Sequence, residues 1–271
     1  MVLQLGGADL AFVYKYDIPA SVQWLVSSGF RYIEISTAFS DSRSPQGICQ
    51  ATRLSLRQIV DKHGLRVAVN PTGLDLNFAS SHPAIREASV REYMYNIDLV
   101  SDLGGELLVA CPGRLHGLMR MPFEQAWETA KPGVLEAADY AKKRGVRIAL
   151  ENVGAYGFSE TVDQLREMIE DVNHESVGIA YDVANAPRSE YPPAAIAEIA
   201  ESLIHIHLSD RANEWGHLPI GMGTIDFEGI ADSLENIGFK GVSVLEVGCP
   251  EAPHGAIVDS IRRLKSLGWR L

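Results

Sequence analysis

Four segments in the second half of the chain end in residues able to do chemistry. They are RIALENVG (147–154) with Glu151, VGIAYDVAN (177–185) with Asp182, LIHIHLSD (203–210) with His205, His207 and Asp210, and VSVLEVG (242–248) with Glu246. Each starts as an apolar run of strand type and places an acid or imidazole toward its end. A carboxylate there is unfavourable unless it is solvated, paired or bound to a cation. Three carboxylates brought together would repel one another strongly at low dielectric, and a divalent cation removes that repulsion. Three carboxylate oxygens with one imidazole nitrogen suit Mn²⁺, Mg²⁺, Co²⁺ or Fe²⁺ better than a structural zinc.

Each residue also has a plainer explanation when read alone. Glu34 could cap a helix or pair with a lysine, and Asp182 could be a turn residue. His205 and His207 alternate along one strand, so they share a face and could be hydrogen-bonded core histidines. Glu246, between valine and leucine in VLEV, is the hardest to accommodate without a functional partner. The recurrence at four consecutive strand ends favours a common site over four separate explanations.

The elements that must position these residues alternate regularly. An opening strand within LQLGGADLAFVY is followed by runs at 31–36, 66–73 and 106–113, then by the four segments above, making eight candidate strands. Between them lie helical patterns. DIPASVQWLVSSG aligns Ile18, Val22, Leu25 and Val26 on one face, and EASVREYMYNIDLVSDLGG aligns Val90, Met94, Ile97 and Val100. Pro132 predicts a break or kink in the helix that follows the fourth strand. Glycines close most helices, as expected of C-caps.

Eight β/α units with near-continuous apolar strands predict a parallel sheet buried on both faces. No GxGxxG follows the first strand, so a single-domain (β/α)8 TIM barrel over residues 1–271 is preferred to an open doubly wound sheet. The strands of such a barrel deliver their C-terminal ends to one mouth, where active sites lie. That mouth would also receive Glu34, Asn70, Asn152 and Asn185. His116 and His217 fall in loops on the same side, whereas His63 falls at the opposite end, and Asp226 is expected to cap a helix.

Bulk properties narrow the function. A formal net charge of −11 argues against nucleic-acid partners. Three separated cysteines without a CxxC pair argue for reduced thiols. No apolar run approaches the ~20 residues of a membrane span, and the N-terminus lacks a signal-peptide pattern. A cytoplasmic location away from membranes is expected.

The segments ALENVG, IAYDVAN, IHIHLSD, HLPIGMGTIDF and VLEV, in this order and spacing, resemble the xylose isomerase-like TIM-barrel superfamily. The likeness covers most of the chain and is greatest to the sugar phosphate isomerase/epimerase branch, including ketose 3-epimerases. It implies that Glu151, Asp182, His207 and Glu246 bind one divalent metal, Mn²⁺ foremost, with Mg²⁺, Co²⁺, Fe²⁺ or Zn²⁺ as alternatives. It implies further that Glu151 and Glu246 are the catalytic acid/base pair, moving a proton on a carbohydrate through a metal-stabilised enediolate. Return to the opposite face gives epimerisation, return to the neighbouring carbon gives aldose–ketose isomerisation, and loss of a β-hydroxyl gives dehydration of a keto-sugar or keto-inositol.

A homodimer or homotetramer is the assembly the resemblance suggests. Glu34, Asn70, His116, Asn185, Arg211 and His217 are the expected substrate contacts, and Arg114, Arg120 and Arg211 the cations available to a phosphate. The chain departs from the epimerase pattern at Asn185, where those enzymes place a histidine, and at Asn213, where they place an arginine. Two rival readings are an endonuclease IV-like repair enzyme and a non-catalytic sugar-binding barrel. The first keeps His217 but offers Asn70, Asn185 and Trp215 in place of other zinc ligands.

Overall fold

The structure, a computed structural model, describes residues 2–71, 76–116, 118–154, 157–213 and 215–271 of the chain. Eight parallel strands close into a barrel: β1 (Leu3–Ala8), β2 (Tyr32–Ser36), β3 (Arg66–Asn70), β4 (Leu107–Ala110), β5 (Arg147–Glu151), β6 (Val177–Asp182), β7 (Leu203–Leu208) and β10 (Val242–Leu245). Closure is made by β10 on β1, with Leu5 beside Ser243 and Gly7 beside Leu245. The 66–73 run expected as a strand is observed as far as Asn70. Its Thr72 and Gly73 lie outside the described residues.

Helices α1 (Ile18–Ser27), α2 (Gln50–His63), α3 (Pro83–Asp102), α4 (Phe123–Arg144), α5 (Val162–Val172), α6 (Pro192–Glu198), α7 (Phe227–Asn236) and α8 (Pro253–Ser266) surround the barrel. Their local signals are plain. Asp17 caps α1 by accepting from the Ala20 amide, and Thr161 with Gln164 forms a capping box on α5. Gly64 ends α2 in the left-handed region, with φ of 60°, where glycine carries no Cβ penalty. Asp226 caps α7 as expected. Pro132 does not end its helix: α4 runs through it from Phe123 to Arg144. The ring removes one amide donor, while Trp127, Ala130 and Val134 around it stay buried against the barrel.

The alternation of strand side chains explains how the barrel builds a polar mouth on an apolar plug. Tyr32, Ala68, Ala149, Ala180 and Val244 belong to one buried cluster inside the barrel. Two residues further along each strand, on the same face, stand Glu34, Asn70, Glu151, Asp182 and Glu246. His205 and His207 are related in the same way on β7. A larger apolar cluster fills the space between barrel and helices. Two additions lie outside the eight-strand pattern. The segments β8 (Asp210–Ala212) and β9 (Trp215–Leu218) form an antiparallel ribbon after β7, and β11 (Trp269–Arg270) pairs with β1.

The loops after β1 and β2 are tied by a buried ion pair. Asp9 accepts from the Ser36 amide at 2.7 Å, from Ser21 Oγ at 2.7 Å and from Arg43 Nη1 at 2.9 Å. The Arg43 guanidinium also donates to the carbonyls of Ser36 and Tyr16, both at 3.0 Å. Removing one partner of a buried pair strands the other charge, at about 3–5 kcal/mol. Arg43→Ala should therefore lower unfolding free energy by roughly that amount in urea titrations. A loss below about 1 kcal/mol would show that water reaches Asp9 instead.

Candidate metal centre

Four consecutive barrel strands, β5, β6, β7 and β10, bring Glu151, Asp182, His207 and Glu246 together. One donor atom from each lies within 4.8 Å of the others, and all four residues are buried. His207 Nδ1 faces this cluster, 2.5 Å from Glu151 Oε1 and 3.4 Å from Glu246 Oε2. Asp182 spends Oδ1 on its own loop, accepting from the amides of Ala184 at 2.7 Å and Asn185 at 3.2 Å. Its Oδ2 is buried and has no hydrogen-bond partner among the described residues. His217 Nδ1 lies 3.8 Å from it. An orphaned carboxylate oxygen inside a ring of oxygen and nitrogen donors fits a hard divalent cation.

Below this ring is a second buried group, Glu34 with His205 and His207. His205 Nε2 lies 2.9 Å from Glu34 Oε2, and His207 Nε2 lies 3.0 Å from Glu34 Oε1. Asn70 Nδ2 donates at 3.2 Å both to Glu34 Oε1 and to Glu246 Oε1.

The electrostatics follow from burial and crowding. Burial raises the Glu246 carboxyl well above its ordinary value, and repulsion from Glu151, Asp182 and Glu34 adds to this against the attraction of His207. Glu151 is raised for the same leading reason, with the contact to His207 offsetting part of it. For Glu34 burial also acts upward, but the charge of His207 and hydrogen bonds from both imidazoles outweigh it and hold the acid ionised. Burial would lower His207, yet Glu246, Glu34 and Glu151 surround it and hold it well above a free imidazole. A divalent cation would relieve the same excess of negative charge. Burial and the nearby Glu151 push the Cys111 thiol up to about 12, which leaves no thiolate nucleophile there.

The remaining expected site residues occupy different positions. His217, one third exposed, stands at the rim with Nδ1 3.5 Å from Glu246 Oε2, and it lines a groove of about 330 Å³ together with Asn185. Asn185 turns its amide inward to the Asn152 carbonyl at 3.2 Å. Arg211 is engaged by the loop after β6, where it donates to the carbonyls of Ala184 and Ala186. His116 uses Nδ1 to accept from the amides of Leu118 and Met119, within its own loop. Glu34 is fully buried beneath the ligand ring, not at a helix terminus. Of the arginines considered for a phosphate, Arg120 pairs with Glu160 and Arg211 is committed as above.

The sequence left Asn152 open between orienting Glu151, touching substrate and making an ordinary turn contact, and it gave Asp210 no separate role. Asn152 is fully buried and clamps the end of β6, its Oδ1 accepting from the Asp182 amide at 2.7 Å and its Nδ2 donating to the Asp182 carbonyl at 2.9 Å. Asp210 gathers the GMG turn, accepting from the amides of Gly221 and Gly223 at 2.8 Å and of Ile225 at 3.1 Å. Gly223 has no room for a side chain there, since a Cβ would fall 2.3 Å from the Arg211 carbonyl oxygen. A polar residue directly after a strand-end acid was the available signal for Asn152.

The chain belongs to the xylose isomerase-like TIM barrel family, whose sequence model matches residues 22–267. Among curated relatives it is similar to a ketose 3-epimerase of Arthrobacter globiformis, 26% identical across 90% of this chain and 83% of that one. An L-ribulose 3-epimerase of Mesorhizobium japonicum is 26% identical across 76% and 68%. An inosose dehydratase of Serratia proteamaculans is 24% identical across 60% and 64%. Two solved structures share the fold. A D-tagatose 3-epimerase-like protein superposes with a TM-score of 0.85 at 22% identity, covering 98% of this chain and 97% of its own. The IOLI protein with a bound zinc atom superposes at 0.82 and 20%, covering 98% of each. No helix among the described residues is long and apolar enough to cross a membrane.

The Asn152 clamp yields a direct expectation. Asn152→Ala leaves the buried amide and carbonyl of Asp182 without these side-chain partners, at about 1–3 kcal/mol for an unsatisfied group. Guanidinium titration should show a loss of that size, with Asn185→Ala losing less because its amide is only partly buried. Equal stability of Asn152→Ala and the parent protein would remove the clamp from the account.

Proposed function

We propose that the protein is a divalent-metal-dependent sugar epimerase or isomerase, with Glu151 and Glu246 as the proton-transfer pair. The observation that carries this reading is the arc of donors across β5, β6, β7 and β10, with a glutamate at each end. Asp182 and His207 fill the two strands between. A substrate seated over the arc meets a carboxylate from each side, which is what removal and return of a proton on one carbon requires. The curated relatives that act on ketoses are consistent with this chemistry.

Glu151, Asp182, His207 and Glu246 would hold the metal, and their oxygen-rich donor set favours Mn²⁺, with Mg²⁺, Co²⁺, Fe²⁺ or Zn²⁺ as alternatives. When bound, the cation supplies Lewis-acid polarisation of the substrate's carbonyl and adjacent hydroxyl. Burial raises both Glu151 and Glu246, which makes each a stronger proton acceptor than an ordinary carboxylate. Asp182, fixed through Oδ1 and the Asn152 clamp, keeps Oδ2 aimed into the cluster. His217 and Asn185 line the groove into which the remainder of a sugar would extend. The inosose dehydratase relative supports a second outcome, β-hydroxyl loss from a keto-inositol after the same proton removal.

Incubation in deuterated water with ketoses, aldoses and keto-inositols, in the presence of Mn²⁺, tests the proposal. At least one substrate should take deuterium onto carbon, chelator treatment should abolish exchange, and Mn²⁺ should restore it. Glu151→Gln and Glu246→Gln should each reduce exchange by about 10²–10⁴-fold, the usual contribution of a general acid or base. Exchange that is absent throughout, or that survives both substitutions, would sink the mechanism.

A further inference from the structure

We infer that Glu34 is a positioning residue of the metal centre: one buried carboxylate that orients two of the four ligand side chains, His207 directly and Glu246 through Asn70. The inference rests on the metal-centre reading above. It replaces the expectation that Glu34 and Asn70 touch substrate.

The geometry of His207 sets the requirement. An imidazole that coordinates a metal must offer a bare lone pair from one ring nitrogen, so its proton sits on the other. Nδ1 is the nitrogen that faces Glu151 and Glu246. The proton must then sit on Nε2, and Nε2 lies astride the Glu34 carboxylate, 3.0 Å from Oε1 and 3.1 Å from Oε2. An ionised carboxylate only accepts hydrogen bonds, so Glu34 holds the proton on Nε2, and a cation binding at Nδ1 would displace only a proton shared there with Glu151.

His205 removes the main ambiguity. Its Nε2 lies 2.9 Å from Glu34 Oε2 and 3.2 Å from His207 Nε2. Two imidazole nitrogens so close could form a bond with each other, one donating and one accepting. The carboxylate between them allows both to donate to it instead. His205 Nδ1 is buried without a hydrogen-bond partner among the described residues, which suits a bare lone pair better than a second N–H. Glu34 therefore receives an N–H from His205, an N–H from His207 and an amide N–H from Asn70.

Asn70 extends the effect. Its Nδ2 also donates to Glu246 Oε1, so the amide that satisfies Glu34 fixes the rotation of the Glu246 carboxyl. The second oxygen, Oε2, is left toward His207 Nδ1 and His217 Nδ1, at 3.4 and 3.5 Å. The group is completely buried, and its contacts have hydrogen-bond lengths. With two imidazole Nε2 atoms and the Asn70 amide all directed at one carboxylate, it forms a hydrogen-bonded support for the ligand ring.

Glu34→Gln keeps the shape but presents an NH₂ group on one side, where an imidazole N–H now donates. Cobalt titration followed by the visible spectrum of the Co²⁺ protein reads the consequence. Loss of an outer partner to a metal-binding histidine typically weakens affinity by about 10–100-fold. Glu34→Gln should fall in that range with a shifted spectrum, and Glu34→Asp, which retains the charge, should recover part of the loss. A second measurement needs no variant: ¹⁵N NMR of the Zn²⁺-loaded parent protein should place the His207 proton on Nε2 and none on Nδ1.

Unchanged Co²⁺ affinity and spectrum in Glu34→Gln, or a proton on His207 Nδ1 in the zinc-loaded protein, would overturn the assignment to Glu34 while leaving the metal centre standing. Failure of the parent protein to bind Co²⁺ or Zn²⁺ would instead overturn the metal-centre reading, and this inference with it. If Glu34→Gln does not fold, the zinc-loaded measurement decides alone.

Discussion

Repulsion among four carboxylates is the constraint on which the upper half of the barrel depends. Glu34, Glu151, Asp182 and Glu246 are all buried, and the imidazoles of His205 and His207 lie among them. Buried like charges at such separations interact by several kcal/mol even at an effective dielectric of about 20. The barrel answers by division of labour. Glu34 is kept ionised by two imidazoles and an amide, whereas Glu151 and Glu246 are pushed toward their neutral forms. One glutamate is thus held ionised and two are pushed toward neutrality, and since all three are buried it is the neighbours of each that make the difference.

Depth in the barrel is what could not be read along the chain. The strand order, the closed barrel and the convergence of Glu151, Asp182, His207 and Glu246 were legible because strand ends in a parallel barrel share one mouth. Glu34 was legible as a member of that mouth but not as lying under it. Its level depends on the stagger between strands, which sets Glu34 beside Ala68, one inward step below the Ser36 and Asn70 pair. No local pattern encodes that stagger. His205 was ambiguous for a related reason: its two-residue spacing from His207 established a shared face, and only the register against Ala180 and Val242 placed it beneath the ligand ring.

The features that local pattern did not settle have equally physical causes. Of the break or kink that Pro132 predicted in α4 the break does not occur, because the buried face of that helix supplies enough packing to carry the chain past one missing amide bond. Arg211 does line the rim groove beside Asn185 and His217, and it also satisfies carbonyls of the loop after β6, a contact that no local pattern announces. Asp9 and Arg43 gave no sequence signal, because an ion pair across 34 positions has no local signature. The three-dimensional partners decided each case.

The Asp210 turn carries a consequence for recognition. Four main-chain amides, those of Arg211, Gly221, Gly223 and Ile225, converge on one buried carboxylate. The turn that follows β9 is therefore anchored to the start of β8 before any ligand arrives. Association at this rim would need little additional loss of loop freedom, so less of the contact free energy is consumed in ordering protein and more remains as affinity. Selectivity on this side of the groove should then arise from shape already present, with poor ligands rejected by misfit to a rigid edge.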